Sequence, residues 1–417
     1  MTTEEIKKIQ EEWFQKGEQY AQSINEMVAY GEKHGWENWK GEEAEDTREH
    51  LGTKVIKLLR EANRENKVEE FRRQFPPAHS PIVSMLDEKG QSITQFCFLE
   101  NDKIIFVVGT AYEDRQACLL NGDELIVLDK SITSVGKAPK GTVIAIASGT
   151  SITTFKEWGG EEISSFNLAA IKGSGITKLI PYNNGLKVIV VSSAGIYLLS
   201  SEENKLIHPE YDAEDEDWSA DIDMENAVLS FDNKYIVVGD QCYDHAILNE
   251  EGNKIGSVGP QSSYPHYCLF SKDDEQLITN SCHFYNGVTI GVDAKKLEGL
   301  EVEAYEESDD YVYIDENMRV YAGVAKGDYY ILGDAYGYIK GINKEGKILW
   351  KHFLGSTIDG MTLSDDEQTL WVGTYAGILH KLKFGKGVRD THTIGDADLY
   401  EEFRLLIWKN EPQIWKW

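Results

Sequence analysis

Residues 210–225, EYDAEDEDWSADIDME, concentrate acid: nine of the sixteen are Asp or Glu, with Trp218 among them. Dense carboxylates can hold calcium, steer a basic macromolecule or stay solvated. A tight calcium loop sets its ligands at alternate positions around a glycine that makes the sharp turn, and this run lacks the glycine. Loose calcium binding, in the millimolar range, is the most it offers. The other local constellation is Ser281-Cys282-His283. Neighbouring side chains on a strand point to opposite faces, so Cys282 and His283 cannot pair as nucleophile and base, and Cys282 reads as packed. The chain has no Gly-rich phosphate loop, G-x-S-x-G elbow or H-E-x-x-H motif.

The balance of charge narrows the partners. A net charge of −29 over 417 residues repels nucleic-acid phosphates and anionic lipid, and it attracts basic surfaces. Cys97, Cys118, Cys242, Cys268 and Cys282 are odd in number and widely spaced, without a C-x-x-C. That pattern fits reduced thiols in a cytosolic protein, with no disulfide frame, metal site or cofactor expected. The opening MTTEEIKKIQEEW is charged, and no apolar run of about 18 residues occurs. A cytoplasmic protein with no membrane role is expected.

Two periods divide the chain, and they set what can position these residues. Over residues 1–78, Ile6, Ile9, Trp13, Tyr20, Ile24 and Met27 form one helical stripe. Gly31, Gly35 and Gly41 interrupt it. A second run from about residue 42 to residue 75 carries Leu51, Val55, Leu58, Leu59, Ala62 and Phe71, and Pro76-Pro77 stop it. This predicts an N-terminal α-helical hairpin. Its stripe would be buried against the following domain, or would dock a second protein.

Over residues 79–417 the period is two. The runs IIFVVG, VIAIASG, VIVVSS, YIVVGD, LITNS, YYILGD and LWVGT begin at Ile104, Val143, Val188, Tyr235, Leu277, Tyr329 and Leu370, 39 to 52 residues apart. Seven β-rich units of that length predict a mainly β fold, a seven-bladed β-propeller. Leu229-Ser-Phe-Asp, Phe270-Ser-Lys-Asp and Leu363-Ser-Asp-Asp mark the turn between an inner strand and the next, and Gly239, Asn280 or Gly373 follows nine residues after each Ser. Asn249-Glu-Glu-Gly and Asn343-Lys-Glu-Gly mark the hairpin from third to fourth strand. The last edge needs a partner, and residues 81–86 (PIVSML) and the later FRLLIWKN are both candidates. The Trp-rich IWKNEPQIWKW would pack on the propeller side or on the helices.

The LSFDNKYIVVGD, FSKDDEQLITNS and LSDDEQTLWVGT units resemble the inner halves of blades in WD40-like propellers, and INKEGKILWK is similar to turns of quinoprotein-like and YVTN-type propellers. The likeness covers about residues 82–400 and implies the fold. The Gly-His and Trp-Asp dipeptides of standard WD40 blades are missing, and fold-level likeness carries no activity.

Counting back from the strand-ending positions places Gln95, Ser134, Lys178, Glu225, His266, Arg319 and Asp359 around the channel mouth. Carboxylates there, with His266, would suit a small-molecule hydrolase or lyase using Glu225, His266 and Asp359. Lys178 and Arg319 would instead repel a metal and make a self-compensated polar rim. The acidic run lies in the loop before the fourth unit, and a second acidic run, AYEESDDYVYIDE, precedes the sixth. Both are expected on one face. There Glu214, Asp215, Glu216, Asp217, Trp218, Asp221, Tyr264, Tyr267, Asp309, Asp310 and Tyr311 combine charge with aromatic anchors, the composition of a protein interface. The expected function is therefore non-enzymatic: protein binding, as an inhibitor, immunity-type protein or adaptor that captures a basic partner protein.

Overall fold

In the computed structural model, the described residues are all of 1–417 except 43, 173–174, 215 and 386–389. Among the described residues seven sheets, antiparallel apart from one added strand, follow one another along the chain. Their innermost strands are Ile93–Phe98, Ile132–Lys137, Ile176–Pro181, Asn226–Leu229, Tyr264–Phe270, Val320–Lys326 and Ile358–Leu363. Each lies beside the next, and the seventh lies beside the first, so the ring closes as a seven-bladed β-propeller. The second strand of each blade carries the apolar runs seen in the sequence. Val188–Ser192 and Thr369–Thr374 are buried along their whole length, as strands covered on both faces must be. Seven apolar clusters fill the seven gaps between neighbouring blades.

The Ser/Asp turns do what their residues require. Ser230, Ser271 and Ser364 each donate to an Asp Oδ1 two residues on, at 2.8, 2.7 and 2.6 Å. Each also accepts the amide of the residue that starts the second strand: Tyr235, Gln276 and Thr369. The hydroxyl thus ties both ends of the turn without a strand partner. Asn249 and Asn343 cap the outer hairpins in the same way. Gly373 serves blade contact: a Cβ there would sit 2.6 Å from the Ile93 carbonyl oxygen of the first blade.

Closure uses the C-terminal candidate. Leu399–Leu406 is the fourth strand of blade seven, and Trp415–Lys416 adds a fifth. Residues 81–86 form no strand. Ser80–Ile82 is a 3₁₀ turn with Pro81 at its start, and it runs into a helix, Val83–Lys89. Proline has no N–H to give a ladder but suits a first helical turn. Blade four also gains a fifth strand, Glu301–Val302, which runs parallel to Lys254–Val258.

The first helix, α1 (Thr3–His34), runs unbroken through Gly31 and ends at Gly35, whose φ of 85° suits a helix end. Gly31 remains inside because the Trp36 indole packs against it. The second run divides into α2 (Glu49–Arg64) and α3 (Val68–Gln74), separated at Asn66 with φ 55°. One apolar core joins these helices to blade seven and the Trp-rich end: Ile9, Trp13, Val55, Leu59 and Phe71 meet Ile378, Leu406, Trp415 and Trp417. The Trp13 and Trp417 indoles stack at 6.1 Å and donate to the Pro76 and Phe75 carbonyls.

Polar contacts secure the same junction. Arg72 donates to the Trp417 carbonyl at 2.6 Å and pairs with Glu401, which also pairs with Arg404 and faces His380. Burial alone would raise the Glu401 carboxyl. The Arg404 and Arg72 guanidiniums hold it well below the usual carboxylate range.

Candidate functional site

The channel is shaped by irregularities in its own wall. Six of the seven innermost strands break register with their neighbour near the same end. The residues left between paired positions include Thr133, Thr177, His266, Tyr321 and Asp359. A bulge re-aims its side chain, and here several turn into the channel. Gln95, with φ 52°, lies in the bulge of the first strand. Its amide binds three blades together, accepting from Ser134 Oγ at 2.7 Å and donating to the Ile176 and Thr177 carbonyls. Ser134 is thereby buried in the wall, outside the channel lining.

The cavity measures about 800 Å³. Of the expected ring it is lined by Gln95, Lys178, Glu225, His266 and Asp359. Arg319 lies behind His266, stacked 4.8 Å over Tyr321. The His266 ring is fully committed: Nδ1 donates to the Val320 carbonyl at 2.7 Å, and Nε2 accepts from Arg319 Nη2 at 3.1 Å. Burial and the neighbouring Arg319 push its pKa down to about 4, so the ring is neutral. Glu225 is raised by burial and by Asp223, against the pull of Arg115 and the Thr177 hydroxyl. Arg115 donates to the Thr110, Thr133 and Ile176 carbonyls. Lys178 donates to the Ala227 carbonyl at 2.9 Å. Asp359 is enclosed by protein except toward the channel, and burial pushes it up to about 7. Among the described residues no three His, Cys, Asp or Glu side chains are grouped to hold a metal.

Strand direction puts the outer-to-inner loops and the second-to-third-strand turns on one face. Backbone contacts join them: Gln241 N to the Asp223 carbonyl at 2.9 Å, and Ile222 N to the Ser193 carbonyl at 2.9 Å. On the acidic loop Glu214, Glu216, Asp217 and Asp221 are exposed, and Asp215 lies outside the described residues. Trp218 is half-buried: it packs edge-on to Tyr211 at 4.9 Å and donates to the Glu210 carbonyl. Tyr264 is half-buried at the start of the blade-five inner strand. Tyr267 lines the channel wall, with its hydroxyl on the Gly323 carbonyl at 3.0 Å.

The second acidic run is placed differently from the expectation. Tyr311–Asp315 is the outer strand of blade five, paired with the third strand, and Tyr311 is only 8% exposed. Asp309 and Asp310 precede that strand, where Asp310 pairs with Lys296 at 2.9 Å, at the end away from the 210–225 loop. The alternation YVYID is itself the strand signal, and the long link between third and outer strands hid the register. That link climbs past blade four, so Tyr305 reaches the loop face, where its amide bonds the Pro260 carbonyl.

The face has a feature that the register alone missed. Turns between second and third strands carry exposed aromatics in five blades: Tyr112, Tyr243, Phe284 with Tyr285, Tyr336 and Tyr375. Phe284 is 81% exposed, Tyr112 72% and Tyr375 61%. The Tyr285 and Tyr336 rings lie 5.7 Å apart. The signal was readable in LGDAYG and VGTYAG, where a tyrosine follows the strand-ending glycine by two or three residues.

No protein-family model matches the chain, and no curated protein matches it. Among solved structures it is similar to one described as "KlHsv2 with loop 6CD replaced by a Gly-Ser linker", with a TM-score of 0.47 and 9% identity over 75% of this chain and 98% of that one. Among the described residues no helix is long and apolar enough to cross a membrane.

Proposed function

We propose that the protein is a non-enzymatic binding propeller whose loop face docks a basic protein, as an inhibitor, an immunity-type protein or an adaptor. The observation that carries this reading is the crown of exposed aromatics on the turn tips, set beside the acidic 210–225 loop on one face. Large apolar rings left in water at one surface, rimmed by charge, are the composition of an interface. The net charge of −29 accelerates encounter with a basic partner, and the rings slow its release. A catalytic role for His266 would need a free ring nitrogen, and both are engaged.

The test is affinity capture with three baits: wild type, Tyr336→Ser/Tyr375→Ser, and Glu214→Lys/Glu216→Lys. A basic protein recovered by wild type, weakened by salt and lost with each variant, is the expected result. Equal recovery by all three baits would remove the face from the mechanism.

A further inference from the structure

Two ionisable side chains face the channel from opposite walls at nearly one depth. Lys178, in blade three, pairs with Val191, one residue below the strand end at Ser192. Asp359, in blade seven, is the bulge between the Ile358–Thr374 and Gly360–Gly373 pairs. Lys178 gives one N–H to the Ala227 carbonyl and lies 6.0 Å from the Tyr267 ring, with no carboxylate beside it among the described residues. Among the described residues the Asp359 side chain has no hydrogen-bond or ion-pair partner and no cation beside it; burial alone shifts it. Burying a charge without its counter-ion is costly, and a scaffold gains nothing from it. Between the two lies the 800 Å³ cavity, within the size range of small-molecule sites.

We propose that the channel binds a linear zwitterion, its carboxylate on Lys178 and its ammonium on Asp359. One molecule then supplies both missing counter-ions. The Lys178 ammonium is held on the Ala227 carbonyl of blade four and Asp359 stands in blade seven across the cavity, a gap longer than the short distance between the two charges of an α-amino acid. An ω-amino acid with several methylenes spans it. Phe96, Leu179, Tyr267 and Met361 line the wall between and meet the methylenes. No bond is made or broken; the site only binds. It stands whether or not the surrounding face docks a protein.

Titration calorimetry of the full chain with glycine, 4-aminobutanoate, 6-aminohexanoate, hexanoate and hexylamine tests this near neutral pH. The wild-type series needs no variant. The longer zwitterion should bind at least about tenfold more tightly than either single-ended compound, a clear free-energy difference, and glycine should give no heat. Lys178→Met should abolish the preference over hexylamine, and Asp359→Asn the preference over hexanoate. Absence of binding by every ω-amino acid overturns the proposal. So does equal affinity for the zwitterion and hexylamine, or an unchanged preference in both variants.

Discussion

Blade seven buries two carboxylates with opposite surroundings. On its outer strand Glu401 is gripped by Arg72, Arg404 and His380, under the N-terminal helices, and is held well below the usual range. On its inner strand Asp359 faces the channel with no partner among the described residues and is pushed up to about 7 by burial. The cleft beside Glu401 is small, about 130 Å³, and its charges are mutually paired. The channel beside Asp359 is about 800 Å³ and its opposed charges are not. The same residue chemistry is spent on cohesion at one edge of the sheet and kept available at the other. A propeller can do both because its blades are fastened by apolar faces, which leaves the inner rim free of structural duty.

The sharpest way to break this contrast is Glu401→Gln. It leaves Arg72 and Arg404 buried without their counter-charge, and urea unfolding should show a loss of about 3–5 kcal/mol. A loss below about 1 kcal/mol would mean that the edge is held by its indoles alone. The carboxyl's folded pKa is depressed, so its contribution is complete above the ordinary value of 4.5 and is lost as the pH falls below it.

Asp359→Asn should act in the other direction. A carboxyl whose folded pKa is raised contributes stability below 3.8 and loses it as the pH rises through about 7. The variant should therefore be more stable than wild type above neutrality, by about 1–2 kcal/mol, with the difference vanishing in acid. The full equivalent of the shift is larger, but the carboxylate faces a channel wide enough for water to screen it. Unfolding curves at several pH values check the crossing.

Smaller still is Ser364→Ala. It strips the Thr369 amide of its acceptor and Asp366 of one donor, for about 1 kcal/mol of destabilisation in the same assay. The smallest effect is expected from Tyr336→Ser/Tyr375→Ser: a thermal midpoint moved by no more than about 0.5 kcal/mol equivalent, since these rings are exposed. A large stability loss there would make the crown a packing element.

What was legible in the sequence follows from what is local. The Ser-x-Asp turns fixed the blade register because hydroxyl, carboxylate and amide lie within five residues of one another. That register puts Glu225, His266 and Asp359 at the channel, and all three line the cavity. What failed was long-range. Tyr311 looked like loop because the link from Asp293 to Tyr311 is long and detours along blade four. Residues 81–86 looked like a strand because β-branched residues follow Pro81, while the competing partner for the last edge stands hundreds of residues later. Arg319 and Ser134 fell one or two residues from the bulges, which shift register without altering the apolar pattern.

The indole of Trp417 reaches the carbonyl of Phe75 across 342 residues. During synthesis α1, α2 and α3 leave the ribosome before any blade, and Trp415 and Trp417, which cover them, leave after all seven. Every blade is made in between. At ordinary elongation rates the stripe of Ile9, Trp13, Val55 and Leu59 stands uncovered for on the order of tens of seconds. The helix pair is thus made before the blades and completed only after them, and a nascent chain offers chaperones an open apolar helix pair until Trp415 and Trp417 emerge.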